Sequence, residues 1–148
     1  MKTKADLVKG WLLKAKSDIA NAEMCLASNQ ALDTACFHAQ QAAERSLKAY
    51  LIANDLDFPF IHNLEKLLEL CAQNDETFLT LKLLCQELTP YAVGLRYDNE
   101  FWPSAETAQE ALNAALTIKG FVDERLGLEM KPSESDSEDK PNSPETDS

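Results

Sequence analysis

Along Ala5 to Ala27 the apolar residues Val8, Leu12, Ala15, Ile19, Ala22 and Leu26 fall alternately four and three positions apart, which draws one stripe down a helix. The spacing predicts a first helix packed on a neighbour along that stripe. Trp11, Asp18 and Cys25 stand one heptad apart beside it, so a carboxylate lies at the edge of the core, either half exposed or paired with a buried cation. Ser28-Asn29-Gln30 breaks the pattern, and a second helix is expected from Leu32 or Asp33, capped by Asp33 or Thr34.

The next stretch, TACFHAQQAAERSLKAYLIA from Thr34 to Ala53, holds neither Gly nor Pro and has two distinct sides. Ala35, Ala39, Ala42, Ala43, Ser46, Ala49 and Ala53 share one face, where small side chains let another helix approach closely. The opposite side carries Phe37, Gln41, Glu44, Lys48 and Leu51, with His38 and Arg45 on one flank and Leu47 on the other. Apolar residues on several sides predict a central helix buried on most of its circumference. Its Gln, Glu, Lys, Arg and His then each need a partner, so they either knit a bundle together or line a site.

Asn54 to Asn63 reads as a loop, because Pro59 pushes Phe58 out of helical geometry; Phe58, Phe60 and Ile61 are expected to tuck it against the bundle. Asn63 is placed to cap a third helix through Leu64, Leu67, Leu68 and Cys71, and the lone His62 before it reads as a residue that orders the loop. A fourth helix is expected over Glu76 to Leu88 with Phe78, Leu81, Leu84 and Leu88 inward, and Thr89-Pro90 restarts the backbone with Thr89 as cap. A further turn or two over Tyr91 to Leu95 leads into the mixed stretch Arg96 to Pro103. Ser104 then caps a last helix with Ala108, Ala111, Leu112, Ala115, Ile118 and Val122 as its seam, ended by Leu126-Gly127. Beyond Lys131 the chain has no apolar residue except proline, so burial cannot offset its ordering entropy; disorder is expected there, in what is most often a solubilising extension.

These elements make the chain all-α: an up-and-down bundle of four to five helices over residues 1–126, followed by an acidic tail over 127–148. The formal charge of −11 divides into −5 on the tail, with seven acidic and two basic residues, and −6 on the bundle, which disfavours simple phosphate-tracking nucleic-acid binding but leaves room for a local basic cleft. Cys25, Cys36, Cys71 and Cys85 fall singly on four different helices with no CxxC pair, so neither metal ligation nor a disulfide framework is expected; free cysteines of this kind suit a reducing cytosol. No apolar run reaches the ~20 residues of a membrane span, and a soluble, cytoplasmic protein is expected.

Trp11, Ala15, Asp18 and Ala22, then FHAQQAAERSLKAYL from Phe37, FPFIHNLEKLLELC from Phe58 and LTPYAVGLRY from Leu88, together resemble the HEPN domain, the higher eukaryotes and prokaryotes nucleotide-binding family. The resemblance runs in order through nearly all of Met1 to Leu126. It implies a helical bundle, usually a homodimer, often encoded beside a minimal nucleotidyltransferase in pairs that behave as toxin and antitoxin. It also implies that some relatives are metal-independent ribonucleases, built on an Arg followed after four to six residues by a His.

The chemistry of such a pair is sound, since His can remove a 2′-OH proton while Arg holds the charge of the scissile phosphate. Counted from Arg96, however, the His positions hold Phe101, Trp102 and Pro103, and neither Arg45 nor Arg125 has a His at that spacing. Arg96 therefore has two readings: it salt-bridges Asp18 or Glu44 while Tyr97 packs, or it faces a cleft with His38, Gln41 and Lys48. With four glycines and no strand-loop-helix pattern there is no phosphate-cradling loop, so a nucleotide would sit between helices or across a dimer. Glu65 with Glu69, and Glu106 with Glu110, read as exposed helical pairs. The expected ligand- or partner-binding set is thus His38, Gln41, Glu44, Arg45, Lys48, Arg96 and Tyr97, with no metal or cofactor. Two functions fit that set: a non-catalytic partner or substrate-binding subunit for a minimal nucleotidyltransferase, or a ribonuclease toxin pairing Arg96 with a rearranged His38.

Overall fold

The computed structural model describes residues 2–92 and 99–127. Arg96 and Tyr97, and the tail beyond Gly127, lie outside the described residues. Five α-helices are present among the described residues: α1 (Lys4–Ser28), α2 (Leu32–Ala53), α3 (Leu64–Asn74), α4 (Lys82–Leu88) and α5 (Ala105–Arg125). Short 3-10 turns at Glu76–Leu81 and Thr89–Tyr91 flank α4.

The capping residues show why these helices start and stop where they do. Thr3 and Asp6 form a reciprocal capping box at the head of α1, the Thr3 hydroxyl accepting from the Asp6 N–H and the Asp6 carboxylate from the Thr3 N–H. Asn29 closes α1 in the left-handed region, with φ 56°, where its N–H reaches back to the last carbonyls. Asn63 caps α3 and Ser104 caps α5, as their places before each apolar seam predict. Gly127 ends the last helix at φ 74°, a conformation that favours glycine.

Four expectations need correction. Neither Asp33 nor Thr34 caps α2: the helix opens at Leu32, one of the two starts expected, behind Ala31 at φ 53° with no side-chain cap. Thr89 does not cap its turn; its hydroxyl donates to the Cys85 carbonyl of α4 at 2.8 Å. The fourth helix is split, because Asp75 caps at Thr77 and winds Glu76–Leu81 as a 3-10 turn before α4 begins. Phe60, expected to tuck inward, is fully exposed, while Phe58 and Ile61 do pack on the core.

The core has α2 at its centre. Ala35, Ala39, Ala42, Ala43 and Ala49 are wholly buried, and α1 and α5 pack closest against α2. The α1–α2 pair is antiparallel, since Trp11 sits by Lys48 and Asp18 by Arg45 and His38. Leu47, Leu51, Leu67 and Phe78 fill the space towards α3 and the 3-10 turn. Phe78 stands between Tyr50 and Phe121, with ring centroids 4.4 and 4.9 Å away. The architecture leaves one strip of α2, running past Phe37, His38 and Arg45, only partly covered.

Candidate functional site

Two carboxylates organise the polar side of α2. Asp18, 3 % exposed, reaches across from α1 and takes His38 Nδ1 on Oδ1 and Arg45 Nη1 on Oδ2, both at 2.8 Å. His38 and Arg45 are seven positions apart, so two turns of helix bring both to the same small anion. Of the two readings of Asp18, the pairing with a cation is realised, although that cation, Arg45, is partly exposed rather than buried. With the carboxylate accepting from Nδ1–H, the neutral imidazole carries its lone pair on Nε2, and the protonated one donates from Nε2 as well. Both side chains keep about a quarter of their surface exposed, 23 % for His38 and 27 % for Arg45.

Glu44 organises the second cluster. Its Oε2 accepts from Lys48 Nζ at 2.9 Å, and its Oε1 takes His62 Nδ1 at 2.9 Å and Gln40 Nε2 at 3.1 Å. Gln40 Nε2 also donates to the His62 carbonyl, so the loop is pinned to α2 at both main chain and side chain. Burial works to raise the Glu44 carboxyl, but its bonds to Lys48, His62 and Gln40 outweigh that and hold it below the ordinary glutamate value. Lys48 is 4 % exposed and stands 5.7 Å from the Trp11 ring centre and 5.6 Å from that of Phe58.

Of the residues read from the sequence as a binding set, His38 and Arg45 therefore come together and stay reachable. Glu44 and Lys48 come together too, but with each other and inside the protein. Gln41 lies between His38 and Arg45 on the helix, 8 % exposed; its Oε1 and that of Gln40 are the buried side-chain polar atoms without a hydrogen-bond partner among the described residues. Asp18 and Glu44 are held by the residues just named; the expected pairing of either with Arg96 lies outside the described residues. Sequence reasoning passed over Gln40; its signal was the four-residue spacing to Glu44. His62 is the loop-ordering residue its position suggests.

Among the described residues no group of three or more His, Cys, Asp or Glu is placed to hold a metal ion, and no helix is long and apolar enough to cross a membrane. The free thiols of Cys36, Cys71 and Cys85 are buried, and burial pushes them up, Cys36 to about 11 and Cys85 to about 12. They are packing groups. What the exposed strip offers is a guanidinium with N–H groups to spare, the donor set for an anionic oxygen, beside an imidazole that can donate as well only when Nε2 is also protonated.

Compared with known proteins, residues 8–125 match the family model described as the HEPN domain. An archaeal HEPN homologue, ST0689, has a crystal structure that superposes with a TM-score of 0.66 at 22 % identity, covering 85 % of this chain and 99 % of that one. The crystal structure of TT1696 from Thermus thermophilus superposes with a TM-score of 0.65 at 30 % identity, covering 80 % of this chain and 97 % of that one. No match is found among curated proteins.

Proposed function

The chain belongs to the HEPN domain family, and from that premise we propose that it is the non-catalytic, partner- or substrate-binding subunit of a minimal nucleotidyltransferase, itself a homodimer, that takes a nucleotide phosphate at His38 and Arg45. The observation that carries this reading is the Asp18 clamp. One buried carboxylate fixes a planar guanidinium beside an imidazole on a partly open strip, and a phosphate can accept from the guanidinium's remaining N–H groups without dismantling the clamp. Lys48 is excluded from that role by its own pair with Glu44.

The test is affinity purification of the tagged protein from its native host, together with nucleotide titration of the purified full chain. A small nucleotidyltransferase recovered in stoichiometric amount, and nucleotide binding weakened about tenfold or more by Arg45→Ala, are the expected results, the latter for loss of one charge-assisted contact of about 1.5–3 kcal/mol. Recovery of the protein alone, with nucleotide affinity unchanged in a folded Arg45→Ala variant, would overturn the reading.

A second reading rests on the Asp18–His38 pair, because a carboxylate that orients an imidazole is also what a general base needs. In that case His38 Nε2 takes the 2′-OH proton of RNA, the 2′-oxygen attacks phosphorus to form a 2′,3′-cyclic phosphate, the bond to the 5′-oxygen breaks with its electron pair and that oxygen takes a proton from water, while Arg45 steadies the charge. RNA cleavage in chelator, abolished by His38→Ala, would select this reading over the first.

A further inference from the structure

Away from the polar strip, a groove of about 870 Å³ runs between the first half of α1 and the second half of α5. Its floor is apolar, with Val8, Leu12, Leu13, Leu116 and Leu126 among the residues that line it, and Leu13 and Leu116 are 55 % and 43 % exposed. Its rim is basic. Lys4, Lys9, Lys16 and Lys119 stand along it against a single carboxylate, Asp123, which Lys119 already holds at 2.8 Å. Lys4 pairs with Asp55, whereas Lys9 and Lys16 make no ion pair among the described residues. An apolar trough edged by lysines calls for a segment that is apolar first and acidic after.

This chain carries such a segment directly beyond the groove. Leu126 is part of the lining, and the residues that follow are Gly127, Leu128, Glu129, Met130 and Lys131, then PSESDSED from 132 to 139 with Glu134, Asp136, Glu138 and Asp139. We infer that residues 128–139 are the groove's occupant: Leu128 and Met130 cover the apolar floor, and the acidic run meets Lys9 and Lys16. The reach is sufficient. The groove follows α1 from Lys4 to Ile19, about 22 Å at ~1.5 Å per helical residue. Extended chain from 127 to 139 spans about 40 Å at ~3.3 Å per residue. The charges match as well, for this run supplies the carboxylates that the two unpaired rim lysines lack. The inference is independent of any nucleotide or protein partner at the α2 strip.

The test uses the full chain and a zero-length carbodiimide, which joins a lysine amine to a carboxylate only when the two are in contact. Equal amounts of ¹⁵N-labelled and unlabelled protein are mixed, cross-linked at low salt and mapped by mass spectrometry. The expected product joins Lys9 or Lys16 to a carboxylate between 134 and 139 within one chain, and its yield falls at least about fivefold in the double variant Leu128→Ser with Met130→Ser, which keeps every charge but loses the apolar anchor. Mixed-isotope products would give the groove to a second copy and overturn the inference. So would a yield indifferent to the double variant, which would mean charge attraction without docking, or no product at all.

Discussion

Asp18 bears more of the fold than its single side chain suggests. Hydrogen bonds to charged groups contribute about 1.5–3 kcal/mol each when buried, and exposed ion pairs about 0–1 kcal/mol. Asp18 is buried while its two partners are partly exposed, so the clamp lies between those limits. Asp18→Asn should therefore cost about 1–3 kcal/mol in urea unfolding, and a double-mutant cycle with Arg45→Ala should return a coupling of at least about 0.5 kcal/mol. Additive effects would mean that the two side chains touch without stabilising one another. The heptad spacing of Trp11, Asp18 and Cys25 made Asp18's place at the core edge legible, and the polarity of His38 and Arg45 made their need for partners legible. Which acid met which base was not, because that depends on how two antiparallel helices align, and no local pattern records it. Phe60, which is fully exposed, was misread because an apolar side chain in a loop follows the loop's path, which no periodicity records.

At the scale of elements, helix existence and the seams were plain from spacing, as were the caps Asn63 and Ser104, each a short polar side chain just ahead of an apolar run. The start of α2 at Leu32 was legible, but its cap was hidden because backbone, not a side chain, makes it. Ala31 holds φ 53°, a conformation that costs an L-residue roughly 1–2 kcal/mol. Ala31→Gly removes that strain at a cost of about 0.5–1 kcal/mol of backbone entropy, so the variant should be more stable by about 0.5 kcal/mol, a rise of about 1–2 °C in melting temperature by calorimetry. A drop on that substitution would show that the turn between α1 and α2 is held by neighbours that compensate for the strain. The 3-10 winding of Glu76–Leu81 was likewise beyond periodicity, since Phe78 and Leu81 point inward in either kind of helix.

For the whole molecule, the all-α bundle was legible because small and apolar residues recur at helical spacing from Val8 to Val122, and the HEPN family match covers the same span. Its behaviour in acid follows from Glu44. A carboxyl held below its ordinary value of 4.5 in the folded chain contributes stability that is fully present above that value and is lost as pH falls through the folded one. Urea unfolding between about pH 6 and pH 3 should show stability falling below pH 4.5, and Glu44→Gln should flatten that fall while lowering the plateau, because Lys48 then lies buried beside a neutral amide. An unchanged slope would assign the acid sensitivity to other carboxylates.

The Asp18 clamp also settles an ambiguity that α1 and α2 would otherwise have. The α2 side of their contact is rich in alanine, and small side chains discriminate weakly against a slip of one helix along the other by a turn, about 5.4 Å. A carboxylate gripping two side chains at once has no such freedom: slip in either direction takes both of its oxygens off their partners together. With Trp11 beside Lys48 and Lys4 beside Asp55, it works as a mark on a sliding scale, favouring one alignment of the hairpin over those that the alanines alone would accept. α5, which packs against both helices, therefore rests on a hairpin whose offset this carboxylate helps to set.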